Sequence, residues 1–243
     1  MGTGRWNTAE KLYRLALLAI TIALASLALS CSAKSAAPSA PPVVEGSVVK
    51  LPEPRYDSDV SLEQSLLARR SVRSYTGQSL TLEEISQLLW AAQGITDLAG
   101  FRTAPSAGGL YPLEIYVVAG EVENLAPGIY RYQPEGHQIV KTIDGDKRAA
   151  LARAALGQSP VKDGAAVFVF TAVYERTTVK YGDRGIRYVD MEAGHAAQNL
   201  CLQAVAMELG AGTIGAFSDE DVFSLLSLPE QESPLYIIPV GRQ

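Results

Sequence analysis

Gly210-Ala211-Gly212-Thr213-Ile214-Gly215 matches G-x-G-x-x-G, the glycine spacing that in a doubly wound sheet turns a strand into a helix beneath a pyrophosphate. That motif works only with a strand before it and a helix directly after it, so that the helix N-terminus meets the phosphate. Here the context is reversed. Tyr188 to Leu209 carries apolar or small residues in a helical pattern stopped by Gly210, and Thr213 to Phe217 reads as extended chain. The dinucleotide reading is therefore set aside. The long helix, apolar or small on every side, is expected to be enclosed by the core or by a partner subunit.

Working outward, the other elements have mixed spacing. Val60 to Arg70 reads as a helix with Leu62, Leu66 and Leu67 on one side, and Thr81-Leu82-Glu83-Glu84 is a capping box opening a helix that runs to Gly94. Leu113 to Val118 reads as a strand, and Ile129 to Tyr132 with Gln138 to Ile143 as a hairpin closed by residues 133–137. Asp146 to Leu156 is a short helix. Ala165 to Val173 is apolar on both faces and so predicts a buried strand. A last helix starts at Ser218, and Leu235 to Val240 forms a last strand. Hairpins in place of regular crossovers predict an α+β layered sandwich, a central mostly antiparallel sheet flanked by helices.

Ala68-Arg69-Arg70-Ser71-Val72-Arg73-Ser74-Tyr75 places three guanidinium groups and two hydroxyls at one helix end. Arg69 and Arg73, four residues apart, share a face, and each planar fork can take phosphate oxygens through two parallel bonds. The alternative is a solvated basic helix end that complements the negative pole of the helix dipole. The background is acidic: 26 Asp and Glu against 21 Lys and Arg give a net charge of -5, which steers the chain toward neither nucleic acid nor an anionic membrane. The arginines are thus a local feature. Two cysteines, Cys31 and Cys201, without a CxxC or a His/Cys cluster, predict no metal site and no disulfide scaffold.

The N-terminus reads as an address. Arg5, Lys11 and Arg14 precede Leu15 to Leu29, an apolar run of signal-peptide length, and Ala28-Leu29-Ser30-Cys31 is similar to a lipobox, in which the cysteine is lipidated. Plain cleavage and an uncleaved anchor are the other readings of residues 1–31. Residues 32–54, rich in Ala, Ser, Pro and Val, read as a flexible tether, leaving 55–243 as the folded domain. The expected location is the bacterial cell envelope, periplasmic or outer face, with the membrane touched only through the N-terminal lipid or signal segment.

Five stretches carry a family resemblance: Arg69 to Arg73; the small-residue loop Pro105-Ser106-Ala107-Gly108-Gly109-Leu110-Tyr111-Pro112; Lys180-Tyr181-Gly182-Asp183-Arg184-Gly185; Glu192 to Leu200; and Ile214 to Phe217. In this order and spacing, over residues 60 to 242, the chain resembles the nitroreductase-like FMN flavoproteins and, within them, the SagB-type dehydrogenase branch. The resemblance implies a homodimer formed through the long helix, with FMN at the subunit interface. Arg69, Arg70, Ser71 and Arg73 would hold the phosphate and ribityl chain, with Arg73 also near the pyrimidine edge. Pro105, Ser106 and Ala107 would arrive from the other subunit, and Ile214, Gly215 and Ala216 would present backbone to the ring. Arg242 would stand in for missing C-terminal basic residues. Gly109 and Gly215 replace an asparagine and a glutamate of the nicotinamide-dependent nitroreductases, so those side-chain contacts are absent. Lys180 and Tyr181 match the acid/base pair of azoline-oxidising relatives, and a desolvated Lys180 could take a proton as hydride leaves. His195 reads as a hydrogen-bonded core residue, and His137 as a solvated turn residue. The implied activity is FMN-dependent hydride transfer on a small organic or peptide-derived substrate. The alternatives are an NAD(P)H-dependent nitro or quinone reductase and a non-catalytic lipoprotein of the same fold.

Overall fold

The computed structural model describes residues 46–243. The signal segment, Cys31 and the tether as far as residue 45 lie outside the described residues.

The centre is β5 (Ala166–Val173), buried along all its residues as its two-faced apolar sequence demands. Phe168 and Phe170 point into one core with the capped helix α2 (Leu82–Gln93) and the long helix α6 (Arg184–Ala206). Val167 and Val169 point the other way, against α3 (Arg148–Ala154), α4 (Ser159–Asp163) and α7 (Asp219–Leu226). Around β5 lie β1 (Val48–Lys50), β2 (Leu113–Ala119), β3 (Gly128–Gln133), β4 (Gln138–Asp144), β6 (Leu209–Ala211) and β7 (Glu232–Arg242). Their order is β1-β4-β3-β2-β5-β7-β6, and every pairing between these strands is antiparallel. The expected α+β sandwich is the observed architecture.

Four local readings differ. The tether expected through residue 54 stops short: Val48 pairs with Val140 as β1, and Leu51 is 2% exposed with its N–H donating to His137 O at 3.1 Å. His137, expected in solvent, anchors that strap. Its Nε2 lies 2.7 Å from Ser86 Oγ and 3.1 Å from Pro52 O, and its Nδ1 2.9 Å from Tyr132 Oη. Burial lowers its pKa below the ordinary imidazole value and keeps the ring neutral. Third, Lys180 lies on a helix, α5 (Glu175–Tyr181), in a stretch to which the sequence pattern assigns no element; Thr177, Thr178 and Val179 are poor helix formers, and burial of Thr177 holds the turn instead. Fourth, Gly210 is not the helix stop. The chain leaves α6 after Ala206, turns through Glu208 at φ 58°, and Gly210 lies within β6.

The helix before the arginines, α1 (Leu62–Ala68), has a full capping box between Ser61 and Gln64, but Leu62, Leu66 and Leu67 all face outward, at 61%, 52% and 77% exposure. The stretch that follows α1 lies on the β6–β7 edge of the sheet. Ser71 bridges Ala211 in parallel fashion and Val72 N–H donates to Ala211 O at 3.0 Å. A Cβ at Gly210 would sit 2.6 Å from Val72 Cγ1, and one at Gly212 would sit 2.8 Å from Val72 O. The glycine pair that imitates a dinucleotide motif is there to let Val72 approach. Gly210→Val is expected to lower unfolding free energy by about 1–3 kcal/mol through overpacking, read as a lower midpoint in chemical denaturation.

Candidate functional site

The arginine turn is fixed by backbone and one phenol. Arg69 leaves helical geometry as its N–H donates to Ser65 O at 2.9 Å, and Tyr75 Oη donates to Val72 O and Pro239 O, each 3.1 Å away. Thr76 N–H reaches Arg242 O at 3.0 Å. The three guanidinium groups then part company. Arg70 turns back on its own helix end and donates to Leu67 O at 3.0 Å and Arg69 O at 2.7 Å, as a helix-capping cation does. Arg69 and Arg73 make no ion pair with any described residue. A cleft of about 360 Å³ lies beside the turn, lined by Arg70, Val72, Val205, Glu208 and Gln243 among others. Behind Arg69, burial raises the Cys201 thiol to about 11, so it stays neutral in the core.

Arg242 does not join this group. Its Nη2 donates to both carboxylate oxygens of Glu84, at 2.9 and 3.0 Å, and its Nε to Ser79 O at 3.2 Å. Glu84 also accepts from Thr81 N–H in the capping box of α2, so Arg242 ties the end of β7 to the start of that helix. The expected contribution of Arg242 to an anion site is replaced by this structural pair.

Ile214, Gly215 and Ala216 follow β6. Ile214 exchanges two backbone bonds with Ile237, of 2.8 and 3.0 Å, and is 8% exposed. Gly215 and Ala216 are exposed, and a Cβ at Gly215 would meet nothing nearer than 3.8 Å. Backbone there is open to a flat ligand.

The loop between α2 and β2 forms a second group. Ser106 Oγ accepts from Tyr111 N–H at 2.9 Å and closes the loop over a 3-10 turn, Ala107–Gly109, in which Gly108 adopts φ 67°. The positive φ favours glycine, and a Cβ at Gly108 would fall 2.8 Å from both Lys180 Nζ and Tyr181 Oη. The two polar ends of α5 therefore converge on the turn. Arg176, one helical turn before them, donates to Tyr111 O at 3.1 Å and to Glu114 at 2.6 Å, locking α5 to the loop's far end and to β2. Lys180 is exposed, so the desolvation expected of it is not supplied by the described residues. His195 is also exposed on α6, contrary to its reading as a core residue.

Beneath this loop the structure reveals what the sequence concealed. Glu192 of α6 is 2% exposed and faces Ser106, Arg102 and Gln93; burial first, and those partners against it, set its pKa at about 7. Its place in a helical motif was visible, but nothing in the sequence marks which face of α6 the loop covers. No hydrogen bond or ion pair among the described residues joins the arginine turn to the loop, so the chain brings together two half-sites.

Comparison with known proteins gives these halves a context. Residues 66–242 match the model of the nitroreductase family. A protein of Methanocaldococcus jannaschii that carries the nitroreductase name is 48% identical over 185 residues, covering 76% of this chain and 92% of that one. The microcin B17-processing protein McbC of Escherichia coli is 28% identical over 166 residues, covering 65% of this chain and 61% of its own length. An FMN reductase (NADPH) of Bacillus subtilis is 26% identical over 193 residues, covering 74% and 64%. A crystal structure of a nitroreductase-named protein from Ralstonia eutropha aligns with a TM-score of 0.71 at 30% identity, over 80% of this chain and 89% of that one. With the family model spanning most of the chain and the sheet and helices arranged alike, this protein belongs to the nitroreductase family, with relatives of the SagB type.

Proposed function

We propose that the chain is an FMN-dependent oxidoreductase that moves a hydride between flavin and a small organic or peptide-derived substrate, as SagB-type dehydrogenases do. The observation that carries this reading is Arg69 and Arg73, two cations with no carboxylate partner among the described residues, on a turn fastened to the sheet edge. Their planar forks suit phosphate oxygens. The open backbone at Gly215 suits a flat ring. FMN, when bound, would supply reversible hydride transfer at its N5.

The residues divide the remaining work. Arg69, Ser71 and Arg73 hold the phosphate and ribityl chain; Arg70 shares its fork with its own helix end. Arg73 puts a positive charge near the pyrimidine edge, which favours negative charge there. Pro105, Ser106 and Ala107 come from a second copy of the chain and complete the pocket, joined by Ile214, Gly215 and Ala216. Lys180 and Tyr181, which converge on Gly108, travel with that loop and hold or deliver a proton to the substrate. The homodimer would bury the exposed Leu62, Leu66 and Leu67 of α1 and Ile186 and Met191 of α6.

A peptide-derived substrate is favoured by the name of the E. coli relative. A second reading, a reductase driven by NADPH, is favoured by the name of the B. subtilis relative. Anaerobic mixing with NADPH separates them: stoichiometric bleaching of bound flavin within seconds supports the second. Among the described residues no helix is long and apolar enough to cross a membrane. Export and lipidation at Cys31 complete the proposal.

Three outcomes are expected. Arg69→Ala with Arg73→Ala weakens FMN binding at least about a hundredfold, each lost charge-assisted contact being worth about 1.5–3 kcal/mol; a purified double variant that stays yellow sinks the phosphate role. Lys180→Ala slows turnover of an authentic substrate by about 10²–10⁴-fold with the flavin spectrum unchanged, and an undiminished rate removes lysine from proton transfer. Cys31→Ser moves the protein from the membrane to the soluble fraction of the producing cell, whereas unchanged membrane partition refutes lipidation.

A further inference from the structure

Under the 103–111 loop lies a set of buried polar groups left unpaired among the described residues. Glu192 Oε1, Gln93 Nε2 and Arg102 Nε each lack a hydrogen-bond partner within ordinary hydrogen-bond distance among the described residues, while Glu192 and Gln93 are 2% and 1% exposed. Leaving such groups unpaired is costly, and native chains seldom keep them without use. They are also matched: an acceptor on α6 beside two donors, one on α2 and one on the loop. Arg102 Nη1 donates to Gln93 Oε1 at 3.1 Å, its guanidinium lies 4.5 Å over the Tyr111 ring, and its backbone N–H donates to Tyr111 Oη at 3.1 Å. Ser106, whose oxygen already accepts from Tyr111 N–H, has its own proton free to donate toward Glu192.

We propose that Glu192 is the positioning residue of the 103–111 loop, holding Ser106 and Arg102 so that the loop meets a flavin nucleotide bound across the subunit interface. This rests on the FMN reading above. The charged group that faces the carboxyl is Arg102; from α2 it meets the neutral Gln93, and from the loop the neutral Ser106. Glu135 of the β3–β4 hairpin pairs with Arg102 at 3.3 Å, and Lys180 and Tyr181 of α5 meet the same turn at Gly108.

The proton on Glu192 has a definite effect. Its pKa in the folded chain stands near 7, above the ordinary carboxylate value, so the folded state binds this proton more tightly than the unfolded chain does. Stability from this group is complete below the ordinary carboxylate range and is lost as pH rises toward and through 7. An anionic nucleotide at the loop makes ionisation harder still. Binding therefore takes up a proton, and affinity falls as pH rises past 7.

The test measures FMN dissociation constants by flavin fluorescence on the full chain from pH 6 to pH 8.5, comparing wild type with Glu192→Gln, which cancels titration of the phosphate itself. Wild type is expected to lose about tenfold in affinity relative to the glutamine variant across that range. Thermal unfolding without flavin is expected to fall with pH more steeply in wild type than in the variant. Glu192→Asp, which keeps a titrating carboxyl on a shorter stem, restores the pH slope while binding more weakly throughout. Parallel binding curves in a chain that holds FMN overturn the role of Glu192 alone. A wild-type chain that holds no FMN at any pH overturns the flavin reading, and the role of Glu192 with it.

Discussion

Val72 pressed against the bare backbone of Gly210 and Gly212 is the contact on which the arrangement of the arginine turn depends. Side chains on an edge strand stand out of the sheet and hold crossing chain away from its backbone, and removing two Cβ atoms where Val72 crosses lets the turn lie flat on β6. The cost is conformational, because glycine loses more freedom on folding than any other residue. It is offset by the backbone bonds the approach permits, from Val72 to Ala211 and from Thr76 to Arg242, and by Tyr75, whose ring fills the space a Cβ at Gly241 would occupy. Arg69 and Arg73 are thus held by main chain and need spend no side-chain contacts on being placed.

The same economy governs the second half-site. Gly108 is empty where Lys180 and Tyr181 arrive, and Arg176 fastens their helix to the loop through Tyr111 O and to the sheet through Glu114. Glu114 is shared with Arg131, which lies 3.8 Å from the buried Glu232, itself taking bonds from Tyr116 and Thr171. One charged network therefore runs from β7 through β2 to the helix that carries the candidate acid/base pair. Within it burial raises the Glu232 pKa, with Glu114 adding to the rise.

Much of this fold is legible in the sequence where one physical signal dominates. The Val-Phe-Val-Phe run of β5 could only be buried on both faces, and Thr81 with Glu84 could hardly be anything but a helix start. What stayed hidden depends on partners distant in sequence. A helix with Thr177 and Thr178 shows no helical signal until the burial of Thr177 is known, and β1 reads as tether because Val48 to Lys50 become a strand only by pairing with residues 138–140. The arginine turn could be found but not divided: that Arg70 caps its own helix and Arg242 belongs to Glu84 are facts of tertiary distance. Glu192 was one letter in a motif until the structure showed its carboxyl buried under the loop.

The two outermost strands, β1 and β6, are only three residues long. Between them stand longer strands that a neighbouring molecule could otherwise extend by adding a strand of its own. Short borders present few unpaired N–H and C=O groups, and β6 is further covered along part of its length by the arginine turn. The sheet is thereby shielded from edge-to-edge association, and the contact that places two cations also closes one margin of the sheet to uncontrolled growth.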